Sequence, residues 1–184
     1  MKKIALFSVL LLLIGASAFA GPLPYYGVAK LGAYTPEAND VKDFDTSFYG
    51  EIAVGYYFHK NFAGEFGVGY TKSSADRNGF NADLTVIPIT AALKGVLPMG
   101  VFEPYALAGI GAYYVTAKGS SSLGSFDTDD TAFGYFLGLG ANFNITKDVF
   151  IGLEGKYFWV EPNLEGGDQK IDGSTLTANI GLRF

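Results

Sequence analysis

The chain has 184 residues, with 25 glycines, 16 phenylalanines, 12 tyrosines and no cysteine; apolar residues make up 49% and charged residues 17%. That charged share is below the roughly 25% of an ordinary soluble domain, and so many aromatics are the reverse of a disordered composition. The missing cysteine excludes a disulfide framework, a thiolate zinc site and a cysteine nucleophile, and a formal charge of −5 argues against nucleic acid, whose phosphates need a basic face.

The first segment reads as an export signal. Met1-Lys2-Lys3 is a short basic start, Ile4 to Ile14 is apolar apart from Ser8, and Ala18-Phe19-Ala20 has the small-x-small form of a cleavage site. The apolar run falls short of the ~20 residues a spanning helix needs. Cleavage after Ala20 would leave a single domain, 21–184, and would take the formal charge from −5 to −7 by removing Lys2 and Lys3.

Beyond it, alternation with a period of two predicts strands to the end of the chain. Tyr25–Thr35 sets Lys30, Gly32 and Tyr34 against Ala29, Leu31 and Ala33. Phe48–Phe58 sets Ile52, Val54 and Tyr56 against Tyr49, Glu51 and Gly55. Ala63–Thr71 sets Phe66, Val68 and Tyr70 against Glu65, Gly67 and Gly69. Asp83–Lys94 alternates least. If Thr90 and Lys94 share the polar face, Ile89, Ala91 and Leu93 take the other, and Pro88 needs a bulge or an unpaired position. Tyr105–Thr116 opposes Ala106, Ala108 and Ile110 to Gly109, Gly111 and Tyr113. Phe133–Phe143 opposes Tyr135, Leu137 and Leu139 to Phe136, Gly138 and Gly140. Val149–Trp159 opposes Ile151, Leu153 and Tyr157 to Glu154, Lys156 and Phe158, and Thr175–Phe184 opposes Leu176, Ile180 and Leu182 to Thr177, Asn179 and Arg183. These are eight strands of about 10 residues, the length of a tilted membrane strand.

The connections after odd-numbered strands (Pro36–Ser47, Lys72–Ala82, Ala117–Ala132, Glu161–Ser174) read as long polar loops, and most of the others are short. An up-and-down meander would collect the long loops at one end, as outer-membrane barrels do outside the cell. Which face is outside follows from the less apolar one. It is mostly glycine, alanine and tyrosine with one or two charges per strand, too charge-poor for a water-facing surface and suited to a narrow packed interior. The aromatics are then expected mainly on the lipid-facing side and at its interfaces, with Tyr56, Tyr70, Tyr114, Tyr157 and Trp159 near strand ends. The expected fold is all-β: a closed eight-stranded antiparallel up-and-down transmembrane β-barrel preceded by a cleaved signal peptide.

The segments Tyr26–Gly32, Glu103–Gly111, Gly138–Phe143, Val149–Tyr157 and Ile180–Phe184 give the chain a resemblance to the small eight-stranded outer-membrane barrels of the OmpA/OmpX/OmpW type, over the whole of 21–184. The resemblance implies an outer-membrane location among lipid and lipopolysaccharide. It also implies insertion by the barrel assembly machinery, with the terminal Phe184 looking like its recognition signal. It does not imply one activity, because fold does not give function.

With the polar parity inward, Lys30, Glu51, Glu65, Glu154, Lys156 and Arg183 project into the lumen and Lys94 joins them. Opposite signs must lie close together there, because an uncompensated buried ion costs several kcal/mol. The set is expected to act either as a salt-bridge plug that fills the lumen or as a polar constriction on a solute path. His59, the one histidine, falls at a turn on the side opposite the long loops, the wrong end for a base serving an outer-leaflet hydrolase or a surface protease. The loop acids, among them Glu37, Asp40, Asp129, Asp130, Glu161 and Asp172, read as a solvated surface; Asp127-Thr128-Asp129-Asp130 lacks the glycine and closing glutamate of a calcium loop, and no cofactor or metal site is expected. The sequence thus points to a monomeric, non-enzymatic barrel with a structural or surface-interaction role. A narrow channel for small or apolar solutes is the alternative, and a lipid-modifying enzyme comes third.

Overall fold

A computed structural model describes residues 25–37, 46–77, 80–121, 124–160, 163–164, 167–168 and 172–184; the expected export signal, 1–20, lies outside them. The strands are β1 (Tyr25–Pro36), β2 (Ser47–His59), β3 (Phe62–Arg77), β4 (Phe80–Val96) and β5 (Phe102–Ser121). They continue as β6 (Gly124–Asn144), β7 (Val149–Val160), β8 (Asn163–Leu164), β9 (Gly167–Asp168) and β10 (Gly173–Arg183). Eight of them close a barrel in the order β1-β10-β7-β6-β5-β4-β3-β2, and the two-residue strands β8 and β9 pair only with each other. Every neighbouring pair is antiparallel, and β1 meets β10 from Tyr26↔Arg183 to Pro36↔Gly173, which leaves the barrel no edge along that seam.

One end of the barrel carries both strand termini, Tyr25 and Arg183, with the connections Lys60–Asn61, 97–101 and Ile145–Asp148; this is the terminal end. The turn at 97–101 needs a left-handed residue, which Gly100 supplies at φ 74°. At Ile145–Asp148 the Thr146 hydroxyl accepts the Asp148 and Val149 N–H groups. The other end carries the long hairpins, and two of its expected loops are corrected. Lys72–Ala82 and Ala117–Ala132 are mostly ladder, running to Arg77↔Phe80 and Ser121↔Gly124. Alternation reports a contrast between two environments. It fades where a ladder continues past that contrast, although backbone pairing goes on.

Pro88 takes an unpaired position without a bulge. The β3–β4 ladder pauses between Val68↔Ile89 and Thr71↔Val86 and resumes in the same register, while Pro88 stays aligned with Tyr113 of β5. The proline lacks an N–H to give, so the ladder omits it on one side only.

The two faces divide as the alternation predicts. Phe133, Leu139 and Leu176 point outward at 76%, 71% and 67% exposure, with Ile52, Val68, Leu93 and Leu153 among their neighbours on that face. Lys30, Glu51, Thr90, Lys94, Asn142, Glu154, Lys156 and Thr177 point inward and are buried. Among the described residues the aromatics lie mainly outside, as expected, with a substantial inward minority. Tyr56, Tyr70 and Tyr114 are outside, but Tyr26, Tyr34, Tyr49, Tyr105, Tyr113, Phe136, Phe150 and Phe158 all fill the lumen. Glycine makes this possible. Tyr26, Tyr105, Phe136 and Phe150 stand directly across the ladder from Gly55, Gly140, Gly109 and Gly181, and a Cβ at any of these glycines would overlap the ring. In an eight-stranded interior, just wide enough for side chains to fill, a glycine on one flank gives each of these four rings its room.

Candidate functional site: a charged tier across the lumen

Six ionised side chains from five strands meet in the middle of the lumen, Glu154 and Lys156 both coming from β7. The Lys30 ammonium donates to Glu65 Oε1 at 2.6 Å and to Glu154 Oε1 at 2.8 Å, and lies 2.9 Å from Glu51 Oε1. Lys156 donates to Glu51 Oε2 at 2.7 Å and sits 3.3 Å from Glu154 Oε1. Lys94 donates to Glu65 Oε2 at 3.2 Å and stands 3.8 Å above the centre of the Tyr105 ring. Three carboxylates thus meet three ammonium groups, so the tier is neutral as a unit.

Each glutamate also accepts a hydrogen bond from one tyrosine. Tyr26 donates to Glu65 at 2.6 Å, Tyr49 to Glu51 at 2.5 Å and Tyr105 to Glu154 at 2.9 Å. The rings that carry these hydroxyls rest on glycines, Tyr49 diagonally on Gly69, where a Cβ would come within 2.9 Å of its hydroxyl. Backbone register therefore places the rings, the rings place the carboxylates, and the carboxylates hold the lysines.

Only Lys30 and Glu51 are ladder partners. The other contacts between strands reach further or run diagonally. Lys156 to Glu51 ties β7 to β2, which β10 and β1 separate in the barrel order, and Lys30 to Glu154 spans β10. Burying several ions is costly, and geometry of this quality, with hydrogen bonds to the remaining lone pairs, is what offsets the cost.

Arg183 stands apart from this tier. At the terminal mouth its guanidinium donates to Glu103 Oε2 at 2.6 Å and to Asn144 Oδ1 at 2.9 Å, and it packs 4.9 Å from the centre of the Phe150 ring. Glu103 is missing from the expected set because its segment reads as a connection. Counting back two from Tyr105 puts it on the lumen face. His59 ends β2 beside the register shift between Tyr57 and His59; it is exposed, its Nδ1 accepts the Asn61 N–H at 3.2 Å, and no charged tier lies against it. Of the loop acids, Glu37 accepts from Ser174 at 2.6 Å and Asp172 accepts the Val160 N–H at 3.1 Å. The side chains of Asp40, Asp43, Asp45, Asp127, Glu161, Glu165 and Asp168 lie outside the described residues.

A closed barrel with an apolar exterior and its charges sealed inside is the architecture of a protein that crosses a membrane with strands. Residues 6–184 match the family model described as the outer membrane protein beta-barrel domain, so the chain belongs to that family and resides in the outer membrane. No curated protein sequence matches the chain. Among solved structures it is similar to Neisserial surface protein A, with a TM-score of 0.62 at 19% identity over 88% of this chain and 97% of that one. It is also similar to Ail, the attachment invasion locus protein of Yersinia pestis, with a TM-score of 0.62 at 16% identity over 88% and 99%. OprG of Pseudomonas aeruginosa is similar at a TM-score of 0.56 and 16% identity, over 89% and 98%. At such identities these likenesses establish the fold.

Proposed function

We propose that this is a non-enzymatic outer-membrane barrel, closed to solutes and monomeric, whose work is done by the surface it displays. The observation that carries the reading is the neutral six-charge tier. It is sealed by three tyrosines seated on glycines and linked across the lumen rather than along its wall, which is the construction of a plug. A solute path would need charges that water can reach. The outward face is apolar around the barrel, so lipid is its natural neighbour.

The hairpin end gives the display surface. From Ser73 on, β3 pairs only with β4, and Gly124–Phe133 of β6 pair only with β5 among the described residues, so a four-stranded sheet rises beyond the closed barrel. We place that end outside the cell, among lipopolysaccharide, and the terminal end in the periplasm. Two of the similar structures bear the names of a surface protein and an attachment protein, which agrees with a display role. Phe184, whose N–H donates to Tyr25 at 2.9 Å and whose ring stacks on Tyr25, is retained as the assembly signal.

Planar-bilayer recording tests the reading. The protein should give no conductance steps, and Glu154→Ala should lower its unfolding midpoint. Regular steps from the unaltered barrel would replace the plug with a narrow channel.

A further inference from the structure

At the terminal end, the connection from β4 to β5 has an unusual composition. From Val96 to Phe102 it carries no polar side chain, although turns that face water are normally rich in asparagine, aspartate and serine beside glycine and proline. Leu97, Met99 and Val101 are 63%, 66% and 59% exposed, as open as Leu153 on the lipid-facing wall at 62%. The turn is firmly held. The Leu97 N–H donates to Pro104 O at 2.9 Å and the Met99 N–H to Phe102 O at 2.9 Å. From β6, the Asn144 N–H donates to Val101 O at 2.8 Å and its side-chain amide to Gly100 O at 3.3 Å. These bonds pair the carbonyls of Gly100, Val101 and Phe102 within the protein, as a segment out of water requires.

Neighbouring residues extend the patch. Phe102 and Phe143 are ladder partners on the outward face with ring centres 5.9 Å apart, and Ile145, two residues past Phe143, is exposed. The apolar surface therefore runs from the lipid-facing wall of β4 to β6 onto the turn without a break. At β2 and β3 the wall ends differently. Phe58 and Phe62 stack on each other, and between them the chain passes through His59, Lys60 and Asn61, the first two exposed. Asn61 is level with Val96, whose N–H donates to Asn61 O at 2.7 Å. Leu97 and Met99 thus lie one to three residues past the polar turn, up to ~10 Å at the rise of an extended strand.

We propose that the 97–101 turn is a lipid-contact surface. It is sunk in the leaflet at the terminal end and covered by phospholipid acyl chains, so the membrane boundary lies further from the barrel centre on the β4–β6 side than at the β2–β3 turn. Continuity selects this occupant. The wall that the turn extends already faces lipid, and a docking patch for a water-soluble protein would be set off from that wall by a polar rim. Contact with lipid follows from residence in the outer membrane and does not depend on which way the hairpins face.

The chain has no cysteine, so single nitroxide labels test this directly. Met99→Cys, Lys60→Cys and Leu153→Cys, with Val101→Cys as a second position in the turn, are labelled and folded in phosphatidylcholine vesicles. Each is read by collision with oxygen, which concentrates among acyl chains, and with a water-soluble nickel chelate. Heat-modifiable gel migration confirms that each variant is folded. The Leu153 label should favour oxygen and the Lys60 label nickel. The labels at 99 and 101 should side with Leu153, with an oxygen-to-nickel ratio several-fold above that at 60. A ratio equal to that at 60 would overturn the proposal and leave the turn in water, free for a protein partner. Shielding from both reagents would also overturn it, and spin–spin broadening that fades on dilution into more lipid would identify a second copy as the cover. Both readings are separate from conductance, so a barrel that conducts would sink the plug and leave the depth of the turn as measured.

Discussion

Among the described residues, two sets of ion pairs cross this lumen, and they are built on different terms. In the middle tier Lys30 is 0% exposed, and its three carboxylate partners are sealed with it. At the terminal mouth Arg183 and Glu103 keep 18% and 13% of their side-chain surface in contact with solvent. In the sealed tier only protein groups replace water, so the loss of one member strands a charge. At the mouth water can take a lost partner's place. Tyr26 belongs to the boundary between them, with its ring on Gly55 and its hydroxyl on Glu65. The difference teaches that position along the lumen, more than pair geometry, sets what an ion pair contributes.

The sharpest way to break this comparison is Lys30→Met. It preserves length but leaves three carboxylates facing two lysines. Removing one partner of a buried ion network costs roughly 3–5 kcal/mol, to be read as a lowered urea midpoint for the barrel folded in lipid. Lys94→Met should cost less, because Lys94 has one carboxylate and an aromatic face where Lys30 has three carboxylates. Adding Glu154→Gln to Lys30→Met restores neutrality and should recover part of the loss. If Lys30→Met matched the wild type, the sealed tier would be contributing nothing and the comparison would fail.

A smaller effect tests the boundary. Gly55→Ala would force a methyl into the Tyr26 ring and lift its hydroxyl from Glu65. Overpacking of this kind typically costs about 1–3 kcal/mol. Gly64→Ala is the matched control, because a Cβ there meets nothing within 4 Å. It should be neutral or stabilise by up to about 1 kcal/mol through the unfolded chain. Equal costs at the two glycines would mean that the ring seat has no special role.

These residues also separate what is legible in the sequence from what is not. Parity alone places Lys30, Glu51, Glu65, Glu154 and Lys156 on one face, and Thr90 with Lys94 sets the register of the β4 segment despite Pro88. Partnership cannot be read in the same way. Lys156 and Glu51 lie on strands that are not neighbours, and their meeting depends on how far each strand is staggered around the closed barrel. Parity also puts Tyr34, Tyr49, Tyr113, Phe136 and Phe158 on the lumen face, but it does not show how so narrow a lumen seats them. Tyr26 shares the parity of Lys30, yet the space for its ring is known only once its ladder partner is seen to be Gly55. The hairpin extensions escape the sequence reading because alternation is a signal of environment and not of pairing.

The smallest effect belongs to the terminal mouth. Arg183→Gln removes the charge from the pair with Glu103 while leaving an amide that can still reach Asn144 or the carboxylate. Partial exposure lets water and salt screen what remains, so the cost should be about 1 kcal/mol. Because the pair touches solvent, raising the salt concentration should shrink the difference between wild type and Arg183→Gln. The same salt series should leave the difference between wild type and Lys30→Met nearly constant, because no ions reach that tier. Parallel salt responses would show that the two tiers share one aqueous path, and the lumen would then have to be open between Tyr26 and Arg183.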